Sequence, residues 1–298
     1  VAERAAVTAR HGVVVVDKPA GLTSATAVEV ARARLAVDRV GHGGTLDPIA
    51  TGVLVMAVGA ATKLAGYLLS DDKGYLADAV LGAATDTLDR TGAVVAERPW
   101  QHVDEAALRH ALAARVGEHD QVPPMYSAIK VDGVRLHERA RAGDDVPRAP
   151  RRVRIDAIEL VAWDPPRARI AIACGKGTYV RSLVADVATD LGTVAHLAEL
   201  RRTRAGRYTI DHAVALDALA PDTPLQPIAA ITGLPSVVVP AAELRHALHA
   251  VQLEATRIAP AVPSPCQLVD ATGTLVAIVH VDDRGRVIYD RVFPELFR

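Results

Sequence analysis

From residue 13 the chain runs VVVVDKPAG, four consecutive β-branched residues stopped by Asp, Pro and Gly, the pattern of a buried strand entering a turn. After Ser24 the spacing changes. Ala27, Val28, Val30, Ala31 and Leu35 recur at helical intervals, with Thr23 or Ser24 available as N-cap. The segments VLVMAVG (53–59) and GYLADAVLG (74–82) predict two more strands, the second followed by the polar loop ATDTLDRTG. Asp104 to Val116 reads as an amphipathic helix with Gly117 in the position that ends it. VRIDAIELVAW and ARIAIAC predict a hairpin joined by DPPR, and Leu183, Val184, Val187, Ala188 and Leu191 form a helical stripe ended by Gly192.

Two stretches break these periods. Residues 121–152 hold prolines, few large apolar side chains and no clear repeat, which predicts a functional loop or arm. Pro221, Pro224, Pro227 and Pro235 punctuate a linker at 221–236, after which LVAIVHV and RVIYDRVF predict a small β-rich unit over 237–298. The expected organisation is an α/β (α+β type) main domain over 12–220, preceded by an extension at 1–11.

At 298 residues, half of them apolar, the chain can bury a large core. Its formal charge of −1 conceals an uneven distribution. Gln121 to Arg154 carries a net of +4 and Glu199 to Arg207 a net of +3, so two basic strips lie on an acidic body. Cys174 and Cys266 lack any C-x-x-C spacing, and no apolar run reaches the roughly 18 residues of a membrane span. Together these point to the cytoplasm, with no membrane partner and no metal or cofactor chemistry signalled. GHGG and CGKGTYV do not complete a nucleotide-binding motif, and His246 and His249 lack a third ligand.

The chemistry-bearing stretch is GHGGTLDPIATG (41–52), where a single carboxylate, Asp47, stands among glycines. Asp before Pro is a common turn residue. Here Gly41, Gly43 and Gly44 also remove Cβ atoms on the approach, which would let a flat ligand lie against the backbone, and the following strand would hold the loop on a rigid element.

GHGGTLDPIATGVL resembles the catalytic signature of the TruB-type tRNA pseudouridine-55 synthases. DKPAGLTS (17–24), KGYLADAVLGAATDTLDRTG (73–92), QVPPMYSAIKVDGVRLHERARAG (121–143), GKGTYVRSLVADVATDLG (175–192) and LRRTRAGRYTI (200–210) resemble the family's other blocks in the same order. The resemblance implies a pseudouridine synthase fold, a long mixed, largely antiparallel sheet flanked by helices and loops, and a PUA-like tail. It implies Asp47 as nucleophile, Arg181 as the guanidinium that keeps it ionised, and Tyr75 completing the catalytic set. His42, Tyr75, Tyr179 and Leu200 are implied to bind the substrate, His42 by propping the RNA loop open. The alternative readings are Tyr179 as a core residue, Arg181 in a surface ion pair and His42 as a plain turn residue.

The resemblance further implies that Lys130, Arg141, Arg201, Arg202 and Arg204, with Arg207, meet RNA phosphates. A monomer acting on the tRNA T-arm without guide RNA or cofactor is expected. A non-catalytic tRNA-binding or folding module is the alternative. A glycosidase or nucleosidase is a further rival, but that class typically uses two flanking carboxylates and no partner for Asp47 is evident. Gly43 stands where the family usually has Ala or Thr, a departure expected to loosen the turn.

Overall fold

A computed structural model describes residues 10–70, 72–127, 129–131, 133–141, 144 and 146–297. The chain starts with β1 (Gly12–Lys18), α1 (Ser24–Arg34), the short β2 (Val40–His42) and β3 (Thr51–Val58). β1 and β3 pair antiparallel along their whole length. Val14, Val16, Leu54 and Met56 enter one core, while Val13, Val15, Val53 and Val55 enter a second on the opposite face. Burial on both faces is why these strands read as continuous apolar runs instead of alternating ones.

Next come α2 (Ala65–Ser70), β4 (Lys73–Leu81), a side hairpin of β5 (Ala83–Thr85) and β6 (Val94–Glu97), and α3 (Glu105–Ala113). Asp104 caps α3, accepting from the Ala107 amide at 2.8 Å. Gly117 does not end that helix; Ala114 does. Gly117 instead opens β7 (Gly117–Gln121) with φ +108°, a reversal of chain direction available to a residue without Cβ.

The arm between β7 and the sheet contains β8 (Lys130–Val131), β9 (Val134–Arg135) and α4 (Leu136–Arg141), and returns as β10 (Arg151–Asp164). The predicted hairpin to β11 (Arg167–Cys174) follows, then α5 (Val180–Asp190), β12 (Ala195–Ala205), β13 (Tyr208–Thr209) and β14 (Val214–Ala215). The C-terminal part holds β15 (Ser236–Val238), α6 (Ala241–Leu248), β16 (Cys266–Val269), β17 (Leu275–Val281) and β18 (Val287–Val292).

The main sheet runs β14-β1-β3-β12-β4-β11-β10-β7, with β2 on β3 and β13 on β12. Its β1–β14 and β3–β12 pairs are parallel and the others antiparallel, the expected mixed and largely antiparallel arrangement. Side chains from α1, α3 and α5 fill the first core. The C-terminal sheet, β15-β16-β17-β18, covers the other face of β1 and β3, sending Val269, Leu275 and Ile278 into the second core. Among the described residues no helix is long and apolar enough to cross a membrane.

Two expectations change. Most of the basic strip at 199–207 lies within the central strand β12, which ends at Ala205, and Arg202 is 1% exposed. Residues 221–236 are packed, not a free tether. Gln226 and Val13 exchange both backbone hydrogen bonds, at 2.8 and 2.9 Å, and Ile228 and Ile231 are buried in the second core. Prolines interrupt regular structure there, but the apolar residues between them still find a surface to cover.

Candidate active site

The loop carrying Asp47 is tied down from several directions. Ser24, at the start of α1, donates to the Leu46 carbonyl at 3.0 Å and accepts from the Leu46 amide at 2.8 Å. Thr23 therefore caps α1, through the Thr26 amide, and frees Ser24 to face the loop. Gly21 N–H donates to the Pro48 carbonyl at 2.8 Å. From β12, Arg202 donates to the carbonyls of Val53 at 2.7 Å, Gly44 at 3.1 Å and Thr45 at 3.3 Å. The register of the sheet brings this about, because Arg202 lies opposite Gly52 of β3 on one side and Tyr75 of β4 on the other. A Cβ on Gly52 would meet the Arg202 carbonyl oxygen at 2.2 Å, so the GVL that follows the loop requires glycine first.

Arg202 is therefore not a phosphate contact, as the basic strip had suggested. Its guanidinium is consumed by backbone carbonyls, and burying it without them would be costly. Arg201 pairs in two-pronged fashion with Asp17 at 2.7 and 3.1 Å. Arg204 is half-buried and Arg207 exposed, both reaching only backbone carbonyls. The side chains of Lys130 and Arg141 lie outside the described residues.

Asp47, Tyr75, Tyr179, Arg181, Leu200 and Arg202 line one cleft of about 310 Å³. Arg181, in the first turn of α5, is only 3% exposed. Its Nε and Nη2 donate to the two Asp47 carboxylate oxygens at 2.8 and 3.0 Å, a bidentate fork that fixes both position and charge. Nη1 donates to the Thr87 carbonyl and Nη2 also to the Tyr126 carbonyl, each at 2.8 Å. One guanidinium thus joins the Asp47 loop, the polar loop after β4 and the root of the arm. Asp47 itself keeps 31% of its side chain exposed, facing the cleft.

A second carboxylate, Asp89, stands 3.9 Å from Arg181 Nε. It is 6% exposed, and its Oδ1 accepts from Thr87 Oγ1 and from the Thr91 amide and hydroxyl. It does not line the cleft, so it cannot flank a bond opposite Asp47. Asp89 escapes a reading of the sequence because ATDTLDRTG looks like an ordinary polar loop. Among the described residues no cluster of three or more His, Cys, Asp or Glu could hold a metal.

Burial raises the phenol pKa of both tyrosines; the Arg202 guanidinium opposes this at Tyr75 and a hydrogen bond with Ser127 opposes it at Tyr179. Both rings are therefore neutral surfaces suited to stacking and hydrogen bonding. His42 is half-buried on β2 and does not line the cleft; burial lowers its pKa, with Arg202 adding to the effect. Of the three glycines on the approach, Gly44 alone lines the cleft. A Cβ on Gly43 would meet Leu68 Cβ at 2.3 Å, so in this chain glycine tightens the turn against α2, the reverse of the loosening expected.

Lys18 is a further site residue that sequence reasoning passed over. It is fully buried and donates to the carbonyls of Pro19 at 2.8 Å and Leu22 at 2.7 Å. Burial lowers its pKa to about 8; the Asp47 carboxylate pulls it back up and Arg202 pushes it down. Its folded pKa lies below the 10.5 of an exposed lysine, so in the window from pH 8 to 10.5 the unfolded chain binds the proton more tightly. The Lys18 contribution to stability should therefore rise with pH across that window and be constant below it. Urea unfolding of the wild-type chain and of Lys18→Met should diverge in slope only there; parallel curves would show that Lys18 does not titrate in the fold. A lysine within a strand whose first five residues, GVVVV, are all uncharged was the available signal.

Residues 32–180 match the TruB family pseudouridylate synthase N-terminal domain, and residues 181–226 the tRNA pseudouridylate synthase B C-terminal domain. The tRNA pseudouridine synthase B of Bordetella pertussis is 47% identical over 237 residues, 78% of this chain and 97% of the relative. That of Aromatoleum aromaticum is 51% identical, covering 70% and 67%. Among solved structures, a chain of the archaeal box H/ACA sRNP Nop10-Cbf5 complex superposes with a TM-score of 0.72 at 25% identity, covering 96% of this chain and 88% of that one.

Proposed function

The chain belongs to the TruB family of tRNA pseudouridine synthases and is an isomerase, and from that premise we propose that it converts uridine 55 in the T loop of tRNA to pseudouridine, with Asp47 as nucleophile. The reaction breaks the N1–C1′ bond, turns the uracil and joins C5 to C1′, while C5 gives up a proton and N1 gains one. No redox change occurs and no group departs. One carboxylate that attacks and later leaves suffices.

The observation that carries this reading is the bidentate Arg181–Asp47 pair, buried on the arginine side and open to the cleft on the aspartate side. Left alone in an apolar pocket, a carboxylate would take up a proton. The guanidinium favours its ionised form and also orients it. Extruding a base costs a few kcal/mol of stacking. Stacking on an aromatic ring can return about 1–3 kcal/mol per base. Tyr75 and Tyr179 are the two rings in the cleft, and Leu200 supplies an apolar wall. His42, outside the cleft, fits a role on the RNA loop and not on the base.

We assign the arm at 121–152 to direct tRNA contact, the C-terminal sheet to auxiliary RNA binding, and the whole to a protein acting without guide RNA. The purified protein alone, given an unmodified tRNA transcript, should form pseudouridine at position 55. Modification elsewhere, or only with an added guide, would replace this reading. With Arg202 withdrawn and Arg201 held by Asp17, Lys130, Arg141, Arg204 and Arg207 remain as phosphate partners. Four neutralised phosphates give log Kd against log salt a slope of magnitude roughly 3 to 3.5. A flat response in filter binding would remove the electrostatic part.

A further inference from the structure

Helix α5 carries Tyr179 at its N-cap, and that side chain makes no cap hydrogen bond. A tyrosine cannot accept from the amides one turn on as Ser, Thr or Asp would. The position is given over to an aromatic ring in the cleft, so something else must hold the start of the helix that also presents Arg181.

Gln121, the last residue of β7, is 2% exposed and reaches across to this point. Its Oε1 accepts from the Tyr179 amide at 2.8 Å, and its Nε2 donates to the Tyr179 carbonyl at 3.1 Å. The side-chain amide thus forms a two-bond bridge to the backbone of one residue. Next to it, Ser182 Oγ donates to the Val122 carbonyl at 2.9 Å. Gln121 also pairs with Arg151 of β10, so the arm leaves the sheet and returns to it at this pair. Five residues after Gln121, the Tyr126 carbonyl accepts from Arg181.

We propose that Gln121 is a positioning residue for the isomerisation. It anchors the N-cap residue of α5 through that residue's own amide and carbonyl and ties Tyr179 and Arg181 to the root of the arm, so that the helix start that presents Arg181 to Asp47 is held from β7. This rests on the assignment of Asp47 and Arg181 to the reaction. An apolar Gln121→Leu keeps the bulk and loses both bonds. Gln121→Glu keeps the acceptor but, when ionised, sets a carboxylate against the Tyr179 carbonyl; when protonated it regains the donor.

The test measures single-turnover pseudouridine formation at saturating tRNA, tRNA affinity and thermal midpoint for wild type, both Gln121 variants and Asp47→Asn. Misplacing reacting groups by about 1 Å costs on the order of 100-fold. Gln121→Leu should therefore lose about 10- to 100-fold in rate with Kd unchanged within about twofold. Gln121→Glu should recover toward wild type as pH falls through roughly 7, where a buried carboxyl takes up its proton. Unchanged rates, or rate losses matched by losses in affinity or in folded fraction, would overturn the proposal. Should Gln121→Leu not fold, the pH profile of Gln121→Glu decides alone, and absence of recovery at low pH overturns it. Wild-type activity abolished by Asp47→Asn leaves the functional assignment standing whatever the Gln121 variants do.

Discussion

Asp47→Asn should abolish pseudouridine formation while leaving tRNA binding within a few-fold of wild type. The amide is nearly the same size and keeps one oxygen to accept from Arg181, but it is a poor nucleophile and carries no charge. Its NH₂ group would face a guanidinium that already donates at 2.8 and 3.0 Å, so one of the two fork bonds is lost as well. Removing the nucleophile of an enzyme typically lowers the rate by on the order of 10⁴-fold or more. Affinity should persist, because most RNA contact is expected from charge along the arm and the exposed arginines, away from Asp47. Mapping modified positions in a tRNA transcript after single-turnover incubation measures the first effect and filter binding the second. Full conversion by the variant would show that Asp47 is a turn residue and that the chemistry lies elsewhere. Lost binding with the rate intact at saturation would make it an RNA contact.

Arg181→Lys should also fall, less far and for a different reason. The guanidinium makes four hydrogen bonds to three separate loops, two to Asp47 and one each to the Thr87 and Tyr126 carbonyls. An ammonium is a point charge on a flexible stem and cannot reproduce a planar fork. With charge kept and geometry lost, the rate should drop on the order of 10²-fold. Arg181→Met removes the charge as well, leaving Asp89 buried and Asp47 partly buried without their cation. Breaking a buried pair from one side costs about 3–5 kcal/mol, so this variant should unfold at clearly lower urea. Comparing single-turnover rates with urea midpoints separates the two effects. A lysine variant as fast as wild type would mean that charge alone, not the fork, holds Asp47 ready.

How far these residues were visible beforehand differs from one to the next. The strands β1 and β3, and the helices α1 and α5, follow from apolar spacing; Thr23 marks the start of α1 and Gly192 follows the end of α5, while α5 begins at Val180, three residues before its expected stripe. Asp47, Arg181, Tyr75, Tyr179 and Leu200 were marked by the blocks they occupy, and they line one cleft. Lys18, Asp89 and Gln121 lie in such blocks too, but no role was attached to them. Each is a polar residue whose burial only the fold reveals: Lys18 and Asp89 are satisfied by neighbours in sequence, whereas Gln121 reaches Tyr179, 58 residues away. β12 shows the same blindness from the other side. LRRTRAGRY looks like a solvated basic face, yet Arg202 lies in the middle of the sheet, its charge met by three carbonyls from around β3.

What the amino-acid order determined by itself was local: which segments extend, which coil into helices, where the chain turns, and which short motifs carry reactive groups. Those depend on side-chain spacing and on Gly, Pro and capping residues, all within a few positions of one another. Only the folded chain decided which charges are buried, which carbonyls meet them, and that Asp47 and Arg181, 134 residues apart, stand at hydrogen-bond distance. A buried charge is stable only when donors or acceptors converge on it, and for Arg181 and Arg202 these come from distant segments brought together by sheet register and helix docking.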